Sequence, residues 1–135
     1  MASLVVATDG AMDSSQYRRF RIRVAPGGDD YASIREVVAR RARRRDWPRP
    51  DLLAIDGGPG QLSAARQALA SSPLADVPTV ALAKREELLF VDPRQAPLRL
   101  PRRSAALQLV QRLRDEAHRF AITYHRTVRS RAIPR

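Results

Sequence analysis

Two periodicities alternate along the chain, one near two residues and one near three and a half. Ala2-Ser-Leu-Val-Val-Ala-Thr8 predicts a strand, Asp9 to Ser15 a turn, and Gln16 to Val24 the returning strand of a hairpin. In that second strand Arg18, Phe20, Ile22 and Val24 share one parity and Tyr17, Arg19, Arg21 and Arg23 the other, so one face is mainly apolar and the other mainly basic. Pro26-Gly27-Gly28 breaks the strand, and Ser33-Ile-Arg-Glu36 has the form of a capping box that opens a helix to about Arg45, ended by Trp47-Pro-Arg-Pro50. Leu52 to Ile55 then predicts a short buried strand. Gln61 to Ser71 predicts a helix with Leu62, Ala65 and Leu69 on one side, and Val77 to Leu82 another strand. Leu88-Leu-Phe-Val91 and Leu98-Arg-Leu100 could pair across Asp92-Pro-Arg-Gln95. Pro101 precedes a final helix capped by Ser104, along which Ala106, Leu109, Leu113, Ala117, Phe120, Tyr124 and Val128 form one apolar face. The order predicts an α/β domain over residues 1–131, with a basic tail at 132–135.

Composition narrows the class. The 135 residues suit one domain, and 44% hydrophobic residues can fill a core. No apolar run is long enough to span a membrane and no secretory leader opens the sequence, so a cytoplasmic protein is expected. The absence of cysteine excludes disulfides and thiolate metal sites, and with only two histidines, carboxylates are the expected metal ligands, for a hard cation such as Mg²⁺ or Mn²⁺.

The net charge of +11 is unevenly spread. Residues 99–135 hold ten arginines against Asp115 and Glu116, a local +8, whereas residues 51–98 hold four basic and six acidic side chains, a local −2. A polyanion would be drawn to the terminal helix and to the Arg40–Arg49 cluster, while the middle keeps carboxylates that a cation could neutralise. Base composition explains why 24 of the 25 basic residues are arginine, but not their clustering.

Two segments carry candidate chemistry. Asp51-Leu-Leu-Ala-Ile-Asp-Gly-Gly58 sets Asp56 at the end of a strand, where an open α/β sheet presents its ligand crevice. Arg114-Asp-Glu-Ala-His-Arg-Phe120 offers His118 on a basic helix. Each residue has a plainer reading. Asp56 can be a turn former beside two glycines, Asp30 a helix cap or first-turn charge, and His118 a partner of Asp115 on the helix surface. His125 reads as a phosphate contact or a solvated residue. Asp115-Glu-Ala-His118 spells a helicase signature without the required phosphate loop, since no Lys-Ser or Lys-Thr follows Gly57-Gly-Pro-Gly60. Lys84, Arg85, Arg102, Arg103, Arg112, Arg114, Arg119 and Arg126 suit backbone phosphates as a group.

Pro50-Asp-Leu-Leu-Ala-Ile-Asp-Gly-Gly-Pro-Gly-Gln-Leu62, Leu82-Ala-Lys-Arg-Glu-Glu87, Leu98-Arg-Leu-Pro-Arg-Arg-Ser104 and Arg114-Asp-Glu-Ala-His-Arg-Phe-Ala-Ile-Thr-Tyr-His-Arg126 occur in order. With Tyr17-Arg-Arg-Phe-Arg-Ile22 and Gly28-Asp-Asp-Tyr-Ala32, they resemble the C-terminal nuclease half of the UvrC family, the incision subunit of the bacterial UvrABC excinuclease. The resemblance implies a ribonuclease H-like mixed sheet flanked by helices. It also implies a metal-dependent phosphodiesterase that makes the 5′ incision beside a lesion in nucleotide excision repair. It places the family's catalytic aspartate and metal ligand on Asp56, its histidine on His118 and a further carboxylate on Asp30, with Mg²⁺ or Mn²⁺ as cofactor. Damaged double-stranded DNA, the UvrB–DNA complex and the UvrA pathway are the implied partners.

Departures from the pattern accompany the match. Pro59 stands where the family commonly has lysine. The family's first strand, with a Phe-Asp-x-Ser-His-like segment carrying another catalytic aspartate, is absent, as are its GIY-YIG half, UvrB-binding segment and helix-hairpin-helix module. The expectation is a fragment that lacks the first central strand, is marginally stable or self-associating, and is inactive or nearly so. The alternative readings are a noncatalytic DNA-binding or scaffold remnant of that domain and, more remotely, another ribonuclease H-like enzyme such as a junction resolvase.

Overall fold

The computed structural model describes residues 2–23, 30–84 and 87–132, with side chains as far as Thr123. Its elements fall into two units, Met1–Arg21 with Ala105–Arg135, and Ile22–Ser104.

In the first unit, β1 (Ala2–Leu4) pairs antiparallel with β4 (Arg18–Phe20), Ala2 opposite Phe20 and Leu4 opposite Arg18. The expected long hairpin is subdivided. β2 (Ala7–Thr8) and β3 (Ala11–Met12) form their own hairpin around Asp9 and Gly10, both at positive φ (53° and 82°), the mirror-image turn that suits strand twist. Asp13 then caps a 3₁₀ turn at Ser14–Gln16, accepting from the Ser15 amide and hydroxyl and from the Gln16 side chain. Strand 2–8 is therefore cut at Val5-Val6 because its two halves take different partners. The returning strand shrinks to three residues, with Val24 outside the described residues.

The long helix α3 (Ala105–Ala132) packs on β1. Its most buried residues are Leu107 and Val110, while Ala106 is exposed, so the covered face is rotated from the predicted stripe. The alternative three- and four-residue series runs through Arg114, whose side chain is only 13% exposed. Counting apolar residues rejects such a series, but an arginine can bury its stem and keep its head at the surface.

The second unit is a βαβ crossover with a hairpin added. β5 (Leu53–Asp56) leads through α2 (Pro59–Leu69) to β6 (Thr79–Ala83), which lies parallel to it, Ile55 opposite Ala81 and Asp56 opposite Leu82. β7 (Leu88–Phe90) returns antiparallel on the far side of β6, giving the order β5-β6-β7. The hairpin expected between 88–91 and 98–100 is reduced to one bridge, Leu89 with Leu98, because β7 spends its other edge on β6.

Burial follows that order. Central β6 is covered on both faces, with Thr79, Ala81 and Leu82 buried, whereas β5 alternates half-buried Leu53 and Ile55 with exposed Ala54 and Asp56. The strand expected to be buried is thus an edge, and no described strand pairs with its outer side. The β1–β4 pair, the β2–β3 hairpin and the β5–β6–β7 sheet remain three separate sheets. Leu62, Ala64, Ala65 and Leu69 of α2 are buried, and the alanines let the helix approach β6 closely.

Helix α1 (Asp30–Ala42) packs on α2, with Val38 and Ala42 joining Leu53, Leu69, Leu74 and Val77 in one apolar cluster. The helix begins three residues before the predicted cap, so Ser33 lies inside it. Glu36 does not fold back to close a box. Its carboxylate accepts the Arg23 amide at 2.9 and 3.0 Å and the Arg40 guanidinium at 3.1 Å. The Pro26-Gly27-Gly28 break lies outside the described residues. No helix among the described residues is long and apolar enough to cross a membrane.

Candidate active site

Asp56 is the last residue of β5 and is exposed. The turn that follows is built from backbone. The Gly57 amide continues the sheet by donating to the Leu82 carbonyl at 3.1 Å, and Gly57 then takes φ +146°, a region open essentially to glycine alone. A β-carbon there would stand 2.6 Å from Cγ of Gln61. Gly58 caps α2, Pro59 opens it, and the Gly58 amide donates to Gln61 Oε1 at 2.9 Å. Proline suits the first helical position, where its missing N–H leaves no intrahelical bond unmade.

The other end of the same glutamine reaches Asp30. Gln61 Nε2 donates to Asp30 Oδ2 at 3.1 Å, tying the first residue of α1 to the turn two residues beyond Asp56. Gly60 lets Tyr31 lie close, since a β-carbon there would meet its hydroxyl oxygen at 2.5 Å. The positive end of the α2 dipole lies at this turn and favours anions beside it. Asp30 is thus a first-turn charge of α1 that also accepts a hydrogen bond from Gln61. Gln61 and Tyr31 escaped the sequence reading, although Gln61 stands at capping-box spacing from Gly58, the one local signal that could have found it.

His118 is half-buried in the middle of α3, in the other unit. Side chains hold the helix there. Tyr17 Oη donates to Glu116 Oε2 at 2.6 Å, and Arg119 donates to the same carboxylate at 2.5 and 2.9 Å. The Arg119 contacts first and the Tyr17 hydroxyl second hold Glu116 far below the ordinary carboxylate value, at about 2. Burial, and after it the bond to Glu116, pushes the Tyr17 hydroxyl up to about 12. The edge of Tyr17 meets Phe120 with ring centroids 5.2 Å apart, and the Arg19 guanidinium lies 3.6 Å from the Phe120 centroid while donating to the Phe120 carbonyl at 3.2 Å. Asp115, considered above as a partner for His118, is 70% exposed and lies 3.3 Å from Arg114.

Of the expected phosphate contacts, Lys84, just past β6, and Arg102 and Arg103, in the turn before α3, are exposed. Arg112 is exposed and donates to the Gly10 carbonyl at 3.3 Å, and Arg119, 60% exposed, is held by Glu116. Arg114 is the exception, its side chain mostly covered. Arg85 and the side chains of Arg126 and His125 lie outside the described residues. The structure thus joins Asp30 to the Asp56 turn within one unit and places His118 in the other, each described within its own unit.

Among the described residues no three histidine, aspartate or glutamate side chains gather at one point. Asp56, with Asp30 tied to its turn, suits a cation held by one or two carboxylates with the remaining positions left to water and phosphate, the usual manner of Mg²⁺.

Comparison with known proteins agrees with the motif order. The chain is 51% identical over 134 residues to the UvrABC system protein C of Solibacter usitatus (strain Ellin6076), covering 96% of this chain and 22% of that protein. It is 50% identical over 133 residues to that of Gemmatimonas aurantiaca, covering 96% and 22%, and 48% identical over 137 residues to that of Moorella thermoacetica, covering 97% and 22%. The chain spans about a fifth of the length of these relatives. Residues 1–122 match the family described as the UvrC RNAse H endonuclease domain, and the chain belongs to that family.

Proposed function

We propose that the chain is a Mg²⁺- or Mn²⁺-dependent DNA endonuclease domain that makes the 5′ incision of nucleotide excision repair, in the cytoplasm. Its substrate is damaged duplex DNA, delivered by a UvrB–DNA complex downstream of UvrA. The observation that carries the reading is the Gln61 bridge, which ties the carboxylate of Asp30 to the turn presenting Asp56 at a strand end. Asp56 would hold the cation, and Asp30, tied to the same turn, would supply a second carboxylate. When bound, the cation neutralises phosphoryl oxygens and lowers the pKa of a water. His118, in its own unit, is the residue assigned to carrying a proton, and exposed Lys84, Arg102, Arg103 and Arg112 receive backbone phosphates without reading sequence.

Mn²⁺ titration followed by electron paramagnetic resonance, run beside incision of lesion-bearing duplex, tests this. A saturable Mn²⁺ site is expected, weakened by about tenfold or more in Asp56→Asn, on the scale of losing a metal-site ligand or its support. A chain that binds duplex in a salt-sensitive way and shows no saturable Mn²⁺ site would be the noncatalytic remnant instead.

A further inference from the structure

A second concentration of charge lies at the other end of α1 from Asp30. Between residues 40 and 49 six arginines face a single acid, Asp46. Arg44 spans Asp46 with two bonds, 2.9 and 2.7 Å, and its guanidinium lies 4.4 Å from the Trp47 ring centroid. Arg41 approaches the same ring at 5.3 Å and donates to the Pro48 carbonyl at 2.7 Å. Arg49 donates to the Pro73 carbonyl at 2.9 Å and pairs with Asp76. These contacts fold the arginine-rich segment around a cleft of about 430 Å³, lined by Arg41, Arg44, Arg45, Trp47 and Arg49, with Ala42 and Leu74 among its apolar contacts. Stacking on tryptophan and bonds to fixed carbonyls pre-organise guanidiniums whose remaining N–H groups are still available. Arg45, exposed at the rim, has no carboxylate partner among the described residues.

We propose that this cleft is a second DNA-contact site, which grips backbone phosphates of the duplex away from the scissile bond. The inference rests on the nuclease reading of the Asp56 turn and adds a fixed offset to it. Asp30 and Arg41 lie eleven residues apart on one continuous helix, about 17 Å at 1.5 Å per residue. That span equals the length of about five nucleotides of a strand, at about 3.4 Å each. The single-sign lining selects a polyanion, and a guanidinium fork can bond two oxygens of one phosphate at once.

The full chain is titrated with a 30-base-pair duplex without metal, across a range of salt. Arg45→Gln should weaken binding alike on every sequence and reduce the slope of log affinity against log salt by about 0.9, one phosphate contact, with Arg45→Glu falling further. Arg94→Gln, which makes the same charge change at a site 89% exposed in the same unit, should leave the slope near its starting value. Because the chain contains no cysteine, Arg45→Cys also accepts an iron chelate cleanly, and that chelate should cut the bound duplex where one on Arg94→Cys does not. Equal slopes for the Arg45→Gln and Arg94→Gln variants, or equal cutting from both chelates, would overturn the proposal. Mn²⁺ binding is read separately on the same variants. An intact Asp56 metal site with no cleft effect sinks this inference alone, and loss of the metal site sinks the reading beneath it.

Discussion

The turn after β5 and the middle of α3 fix their key residues by opposite means. At Asp56 the work is done by backbone: a sheet bond from Gly57, a positive φ and a glycine cap, with one glutamine lying against the space where a β-carbon would be. Around His118 it is done by side chains, as Tyr17, Glu116, Arg119, Phe120 and Arg19 lock together across segments about a hundred residues apart. A backbone-built site tolerates almost no change of residue at the glycine of positive φ, here Gly57. A side-chain-built one tolerates conservative change and depends on protonation.

The largest effect that separates these two schemes is expected at Gly57. Gly57→Ala combines a backbone region costly to L-residues with a β-carbon within 2.9 Å of three Gln61 side-chain atoms, and a loss of about 3 kcal/mol in urea unfolding is expected. A loss under about 1 kcal/mol would show that the turn is not held by its backbone. Glu116→Gln should cost about 1.5 kcal/mol near neutral pH, the value of a charge-assisted hydrogen bond. Its pH dependence follows from a folded pKa depressed from 4.5 to about 2: the carboxylate's stabilisation is complete above about pH 4.5 and is lost as pH falls to about 2. Melting curves of parent and variant should therefore converge on acidification, and a constant gap between them would break the contrast. The smallest effect is expected at Gly60. Gly60→Ala meets only the hydroxyl end of Tyr31, a residue 47% exposed and able to swing, while alanine gains about 1 kcal/mol of helix propensity, so stability should change by less than about 1 kcal/mol.

Local pattern made the second unit largely legible. The apolar run before Asp56, the glycines after it and the spacing of Leu62, Ala65 and Leu69 are neighbours in the chain, and β5, the turn and α2 follow from them. Where distant parts of the chain compete for a residue, the local signal misled. Ser33 and Glu36 have the spacing of a capping box, but Glu36 is engaged by the Arg23 amide and Arg40, so the helix starts at Asp30. The face of α3 was misplaced because Arg114 interrupts the correct stripe with a charge whose stem is covered. The motif order pointed to the UvrC family, and the match over residues 1–122 shows that family. The Gln61 bridge and the bond from Tyr17 to Glu116 join residues 31 and 99 positions apart, a separation that periodicity does not register.

Pro59 carries a consequence for the unfolded chain. A charged side chain at this position would act through its charge in the native state. A proline at the first residue of α2 restricts the denatured ensemble instead, and where the native φ suits it such a change is worth about 0.4–1 kcal/mol. The segment that presents Asp56 therefore has fewer conformations to surrender when it folds, a form of stabilisation that salt does not screen.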